Sequence, residues 1–574
     1  MNTETSAVDR SADISQPLDK LGPDETLKYN SDHLRGTIQY GLLDRITGGV
    51  KFEDNKLMKF HGIYQQDDRD IRDERRRQKL EPAITFMVRV RLPGGVCTPE
   101  QWLGIDSLAR AHGGNSIRLT TRQTFQFHWV VKEEIKPVIE GLHEVLLDTI
   151  AACGDDARGV MCTADPEDSA HHAEVAELSR TLSAHVIPKA RAYHEIWYGK
   201  ERVATSEPEE PFYGPTYLPR KFKVGFIVPP SNDIDVYTQD LGFIAIAGPN
   251  GVEGFNVAIG GGMGRNDQDR DTYARLADVI GYIPKDLLIP AADAVMSVQR
   301  DYGNRKVRAR ARFKYTVDDK GLDWVKTEIE RRMGVAFEPE RPVELNSNGD
   351  TFGWRETDRG RFNYGLYIAS GRVADFGSLR LMDGLRAIAE VHKGAFRLTP
   401  NQNLIISDIA PEDRPGIDAL LAEYGLSEEN RISALRLNSI ACVALPTCPL
   451  AMAEAERYLP DLISKLEPVL AGHGLGNEPI TIRMSGCPNG CSRPYVAEIA
   501  FTGRAPGKYD LWLGGGFHGE RLASHYRENI GEAAILEILS DFLGRYAAGR
   551  EDGERFGDFL WRAGLLGADA GSGD

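Results

Sequence analysis

The sequence predicts an α+β chain folded as two pseudo-symmetric halves, and three observations predict it. First, His112-Gly-Gly-Asn-Ser-Ile-Arg-Leu-Thr-Thr-Arg-Gln-Thr-Phe-Gln-Phe127 recurs as His392-Lys-Gly-Ala-Phe-Arg-Leu-Thr-Pro-Asn-Gln-Asn-Leu-Ile-Ile406. Each copy carries Arg-Leu-Thr, lies between two apolar helical stretches and follows a strand, near Val88 and near Leu366. A single long-period repeat points to two halves rather than a solenoid. Second, residues 165–345 between the copies read as α/β, with apolar strand runs at 222–229 and 242–247. Third, 574 residues exceed what one core holds, since single cores stop growing near ~250–300 residues.

Taken in order, residues 1 to about 30 are polar, with Pro17, Gly22 and Pro23, and read as a flexible arm. Residues 60–80 are densely charged, the pattern of a solvated helix face. The run 85–92 alternates as a strand and stops at Pro93-Gly-Gly95. A helix follows from about 99 to 111, then a strand over 116–129. Residues 254–264 are a strand entering a glycine turn, Gly-Gly-Gly-Met-Gly264, which matches neither a Walker loop nor a well-formed G-x-G-x-x-G. Near the end a helix is expected from 534 to about 548, before a glycine-rich terminus.

Composition narrows the class. The chain is 41% hydrophobic and 27% charged, as ordinary globular proteins are. A net charge of −16 argues against a dedicated nucleic-acid binder. No apolar run reaches the ~18 residues a membrane span needs, and residues 1–10 lack the apolar core of a signal peptide. Seven cysteines fit a reducing cytoplasm.

Four of those cysteines carry the chemistry. Cys442 and Cys448 are spaced C-x5-C, and after 38 residues Cys487 and Cys491 are spaced C-x3-C. Both pairs sit among proline and glycine, in loops that leave backbone N–H groups free to bond sulfur. Four thiolates from two turns suit an iron–sulfur cluster, whose irons each need one soft ligand. Structural zinc sites use shorter spacing within a pair, and disulfides need an oxidising compartment. Buried, unliganded thiols are the remaining alternative.

C-x5-C followed by Gly486-Cys-Pro-Asn-Gly-Cys491 resembles the sulfite and nitrite reductases that couple a 4Fe–4S cluster to sirohaem. Ala441-Cys-Val-Ala-Leu-Pro-Thr-Cys-Pro-Leu-Ala-Met-Ala-Glu-Ala-Glu-Arg457 is similar to the haemoprotein (beta) branch of that family, and the likeness starts at Leu34-Arg-Gly-Thr-Ile38. The resemblance implies duplicated ferredoxin-like half-modules with sirohaem- and cluster-binding α/β domains. Its domain plan is an arm and wrapping segment at 1–80, a half-repeat at 81–150, and a sirohaem-binding domain at 151–345. A second half-repeat then occupies 346–425, and the cluster-bearing domain 426–574. It also implies that Cys442, Cys448, Cys487 and Cys491 ligate the cluster, with the Cys491 sulfur shared between a cluster iron and the sirohaem iron. The segment 60–80, through Tyr64-Gln-Gln-Asp-Asp-Arg-Asp70, is then expected to wrap over the active-site face.

A polycarboxylate macrocycle and a small anionic substrate need fixed cations, arginine above all for bidentate contacts. Arg89 and Arg91, and Lys221 and Lys223, are spaced two apart, which places each pair on one face of a strand. The resemblance assigns Arg89, Arg158, Lys221 and Lys223 to anion binding and proton delivery. It assigns Arg118, Arg122, Gln126 and His128, alternating along the first repeat strand, to contacts with the sirohaem carboxylates or to support of the site. A basic run over 299–314 offers Arg305 and Arg308 as further contacts, and Asn489, between the two loop cysteines, is expected to shape the loop or touch cofactor. The implied activity is six-electron reduction of sulfite to sulfide in cysteine biosynthesis. No flavin or NADPH fingerprint is present, so the implied donor is an FAD/FMN-containing, NADPH-oxidising flavoprotein (alpha) subunit bound through the N-terminal arm. Two alternatives stand beside it. One is a ferredoxin- or nitrite-dependent relative, although family nitrite enzymes tend to carry asparagine where this chain has Lys223. The other is a non-catalytic redox sensor, which would not need a cage of cations.

Overall fold

The computed structural model describes residues 18–164, 169–189, 195–198, 201–205, 210–266, 269, 271–427 and 432–566. The first 17 residues of the expected arm, and the glycine-rich terminus from 567, lie outside them.

The repeat is a duplicated antiparallel sheet. In the first copy the strands run Ile63–Asp67, Ile84–Arg89, Phe125–Val130 and Ile117–Leu119; in the second they run Gly353–Glu356, Phe362–Leu366, Leu404–Ile409 and Ala395–Leu398. Each sheet is completed by a strand from the other copy. Arg372–Val373 pairs with Ile117–Leu119, and Val96–Cys97 pairs with Ala395–Leu398. The two copies therefore share one core, in which Trp102 lies 5.6 Å from Phe125 and 4.9 Å from Phe396. Such ring pairs add about 0.5–1.5 kcal/mol each beyond the area they bury.

The α/β unit is duplicated as well. One sheet runs Met161–Cys162, Val224–Ile227, Leu241–Gly248, Gly251–Ile259 and Asp278–Pro284. The other runs Ser439–Ala441, Ile482–Ser485, Ile499–Ala505, Lys508–Leu513 and Ser524–Ile530. In both, three parallel strands are followed by two antiparallel ones. Helices Leu288–Tyr302 and Leu459–Gly472 cover them, and among the described residues no helix is long and apolar enough to cross a membrane.

Most predicted elements appear close to their expected limits. The first helix is Pro99–His112, opened by a capping box between Thr98 and Gln101, and the late helix is Glu532–Gly549. Three expectations change. The single strand expected over 116–129 is a hairpin, because Thr120 N–H bonds the Thr124 carbonyl and Gln123 N–H bonds Thr120. The chain turns at Gln123, φ 52°, without the glycine or proline that usually marks a turn. Next, residues 18–30 are not free arm but carry helix Pro23–Tyr29, whose Glu25 and Lys28 are buried by pairing with each other and with Arg305 and Leu218. A last helix, Phe556–Arg562, follows where only a glycine-rich end was expected.

The glycine turn after Gly251–Ile259 has a packing cause. A Cβ on Gly261 would meet two carbonyl oxygens, of Tyr237 at 2.2 Å and of Gln239 at 2.4 Å. The turn leads to Arg265, whose N–H bonds the Pro488 carbonyl at 3.1 Å, so it buttresses the Cys487–Cys491 loop.

Candidate functional site

A cavity of about 330 Å³ opens where both half-repeats and both α/β units meet. The first half-repeat contributes Arg89, Arg118, Gln126 and His128, the first α/β unit Arg158 and Lys221, and the second Cys442, Cys448, Cys487 and Cys491. Lys28, Lys56 and Lys59 of the N-terminal helices also line it, as do Tyr64 and Gln66 of the segment 60–80. Arg69 donates to the carbonyls of Cys448 and Ala451, so that segment grips the first cysteine loop.

Both loops leave the ends of parallel strands. Cys442 follows Ser439–Ala441 and donates its N–H to Met484 at 3.1 Å; Cys448 N–H reaches Ala444 at 2.9 Å. The Cys487–Cys491 loop follows Ile482–Ser485 and is pinned from outside by the Tyr495 hydroxyl to Pro488 (2.9 Å) and the Thr121 hydroxyl to Cys491 (3.0 Å). Gly486 cannot be larger, since a Cβ would lie 2.6 Å from both Ala444 and Ala453. Its N–H donates to Cys442 Sγ at 3.2 Å, and Asn489 Nδ2 to Cys487 Sγ at 3.5 Å.

Burial, reinforced by the other cysteines, pushes Cys442 well above the usual thiol value, Cys448 to about 12 and Cys487 to about 11. Thiols so placed release their protons to solvent when a metal centre binds the sulfur, which couples ligand deprotonation to metal uptake. Among the described residues no three His, Cys, Asp or Glu side chains close on a single-ion site. Zinc, with sulfurs about 2.3 Å from the metal, requires that tighter arrangement. Four cysteines that line one cavity and feel one another's charge fit a polynuclear cluster.

The opposite wall is cationic. Arg89 donates to Cys153 Sγ at 3.2 Å and faces Gln126, whose amide, turned to the orientation that satisfies both groups, accepts from Nε at 3.1 Å. Burial, then Arg158 and Lys223, hold Lys221 well below the ordinary lysine value; burial, then Arg122 and Arg312, do the same to Lys223. Burial, then Arg372 and Arg118, keep His128 neutral. Arg158 Nε and His128 Nε2 are buried with no hydrogen-bond partner among the described residues. Neutral His128, whose Nδ1 faces Gln66 Oε1, presents Nε2 as an acceptor. Arg158 Nε, an unsatisfied buried donor beside the cavity, fits an anionic group bound there. A polycarboxylate macrocycle supplies one.

Not every predicted residue reaches the cavity. Arg305 does not: its guanidinium is spent on Glu25 and on the carbonyls of Tyr217 and Arg300. Arg308 lines the wall but is held bidentate by Asp155 at 2.8 and 3.0 Å. Although its own burial opposes this, Arg308 and Lys28 hold Asp155 well below the carboxylate range. Arg122 lies behind the wall, bonded to Gln239 Oε1 (3.1 Å) and the Gly159 carbonyl (2.6 Å), and burial lowers it to about 9. Lys223 is also behind the wall, near enough to Cys491 to feel its charge. Arg91, paired with Arg89 by spacing, turns away to Ser183. Arg118 reaches the cavity already paired with Glu456 and with the Ala441 carbonyl at 2.7 Å.

Several neighbours went unread in the sequence: Arg220, Glu456, and the pair Asp235 and Arg493. Arg220 adjoins Lys221, and Glu456 lies in the quoted cysteine stretch, so each had a local signal. Asp235 had none.

The nitrite and sulphite reductase 4Fe-4S domain family matches residues 177–337, and the nitrite/sulfite reductase ferredoxin-like half-domain family matches 78–145 and 355–424. The first of these regions contains none of the four cysteines. The chain is similar to the sulfite reductase (NADPH) hemoprotein beta-component of Nitrobacter hamburgensis, 66% identical over 99% of this chain and 98% of that protein. The same-named protein of Nitrosomonas europaea is 65% identical over 97% of each, and that of Staphylococcus saprophyticus 53% over 96% of each. The solved structure of the Mycobacterium tuberculosis NirA protein superposes with a TM-score of 0.77 at 24% identity, covering 96% of this chain and 97% of that one, a likeness of fold.

Proposed function

The chain belongs to the nitrite and sulfite reductase family, and from that premise we propose that it is a sulfite reductase haemoprotein subunit that carries out the six-electron reduction of sulfite to sulfide. One observation carries the reading: four cysteines from two loops and a set of buried cations face each other across one cavity. Cys442, Cys448, Cys487 and Cys491 would hold the 4Fe–4S cluster. Arg118, Gln126 and His128, with Arg308 at the rim, would face the sirohaem carboxylates. When bound, the cluster and sirohaem supply the electron-transfer steps and the metal centre at which sulfite is reduced.

The protein's own residues do the rest. Arg89 and Arg158 fix the anion and hold negative charge as it develops, which preorganised donors do without reorganising. Each S–O cleavage must release water, so protons have to arrive beside the anion. Lys221, in the wall, and Lys223, behind it, hold protons more loosely than ordinary lysines and can deliver them to the anion. Asn489 and Gly486 donate to the cysteine sulfurs and set the loop around them.

The electron donor in this reading is an NADPH-oxidising flavoprotein carrying FAD and FMN, docked through the N-terminal arm, in the assimilatory, cysteine-forming direction and in the cytoplasm. The test uses purified, cofactor-loaded protein with reduced viologen as donor. Comparable protein with sulfite and with nitrite should give a higher kcat/KM for sulfite and six electrons consumed per sulfide released. Preference for nitrite would overturn the substrate assignment, and a loaded protein without turnover would restore the sensor reading.

A further inference from the structure

We infer that Glu456 is a positioning residue that sets the electrostatic environment of the cluster by neutralising a like-charged pair of arginines beside Cys442. This rests on the reading above of Cys442 as a cluster ligand.

Arg118 and Arg372 stand directly opposite each other where the second copy's strand docks on the first copy's sheet. Like charges in that relation repel. The two side chains are 2% and 16% exposed, so water does little to relieve them. Glu456 meets both: Arg372 Nε and Nη2 reach its two oxygens at 2.7 and 3.2 Å, and Arg118 pairs with one of them. The same residue donates its backbone N–H to the Cys442 carbonyl at 3.1 Å, and Arg118 donates to the adjacent Ala441 carbonyl at 2.7 Å. The three charges thus sum to one positive charge within a residue of Cys442.

Net charge around a cluster is one of the levers on its reduction potential. Added positive charge favours the reduced, more negative cluster and raises the potential; removed positive charge lowers it. Glu456→Gln leaves two positive charges, Arg372→Gln leaves none, and the double variant restores one. The expected midpoint potentials are therefore higher than wild type, lower than wild type, and near wild type.

The experiment is an EPR-monitored redox titration of the reconstituted full-length chain in all four forms, with iron and labile sulfide counted first. Opposite shifts in the single variants that cancel in the double support the inference, because a purely structural role gives no sign change. Unmoved potentials in loaded Glu456→Gln and Arg372→Gln overturn it, as does a loss of cluster content with the potential of the loaded fraction unchanged. Should Glu456→Gln not fold, the downward shift of Arg372→Gln and the return in the double variant decide it. Wild-type chain that takes up no cluster sinks the cysteine assignment itself, and this inference with it.

Discussion

Replacing Asp235 by Asn should loosen the join between the two halves. Asp235 is fully buried and accepts from Arg483 Nη1 at 2.6 Å and Arg493 Nε at 2.5 Å. The substitution keeps shape and backbone preference, since the residue sits at φ 51°, a left-handed conformation that asparagine tolerates. The carboxylate is removed, and two arginines, 2% and 4% exposed, lose the acceptor they share. At an effective dielectric near 20, each close pair is worth about 4 kcal/mol before desolvation. Breaking a buried pair by deleting one partner costs about 3–5 kcal/mol. For a cooperative unit of 150–250 residues that lowers the melting temperature by about 6–20 °C. Thermal unfolding followed by circular dichroism, with cluster content counted beforehand, is the assay. Iron content should fall too, because Arg493 stands two residues from Cys491 and holds the Thr121 and Pro400 carbonyls of both hairpin turns. A melting temperature within about 2 °C of wild type would refute the reasoning, since it would mean the charge is compensated elsewhere.

Cys491→Ser should abolish sulfite turnover and uncouple the cluster from the haem spectrum; normal sulfite reduction by this variant would remove Cys491 from the site. Lys221→Arg keeps a cation but removes a titrating proton donor, so kcat should fall by about 10²–10⁴-fold while KM moves little. In the wild-type enzyme the alkaline limb of kcat should lie below the ordinary lysine value of 10.5, because activity is lost as pH rises through a lowered pKa. An unaltered limb in Lys221→Arg would exclude it as the donor. Glu498 is buried, and its burial raises it from 4.5 to about 7. Its protonation therefore contributes stability that is full below about 4.5 and lost as pH rises through about 7, worth about 3 kcal/mol. Denaturant titrations from pH 5 to 8 should show that decline, flattened in Glu498→Gln.

What could be read from the sequence depended on how far away the partners lay. The half-repeat was legible because each copy spends its residues locally, on a hairpin whose turn must close in the same way. The cysteines were legible because a cluster demands sulfur at set intervals. Glu25 and Lys28 were not, since their charge is neutralised by Arg305 and Asp155, over a hundred residues on, and a polar stretch without those partners reads as solvated. Arg118 looked free for the same reason: Glu456 is 338 residues away. The 116–129 hairpin was misread because residues on both faces of its strands are buried, which erases the alternation that marks a strand edge.

The second duplication explains why there is one site and not two. Strand registers align Cys162 with Ala441 and Val224 with Ile482, and in each unit a glutamine from the hairpin turn, Gln123 or Gln402, accepts from the backbone of the first of these pairs. Counting on along both units, Asp235 corresponds to Arg493, and both stand in left-handed conformation before a short 3₁₀ turn. The pseudo-symmetry axis therefore passes through their ion pair, with unlike residues at like positions. The same count sets Thr163 opposite Cys442 and Asp233 opposite Cys491. In the first unit these two are bonded to each other, Thr163 Oγ1 to Asp233 Oδ1 at 3.0 Å, which seals the position that Cys442 and Cys491 occupy in the second. The first unit supplies Arg158 and Lys221 instead. A symmetric pair of sites would need cysteines and cations on both sides of the axis, competing for one cavity. Division of labour between the copies lets thiols and cations face each other across it.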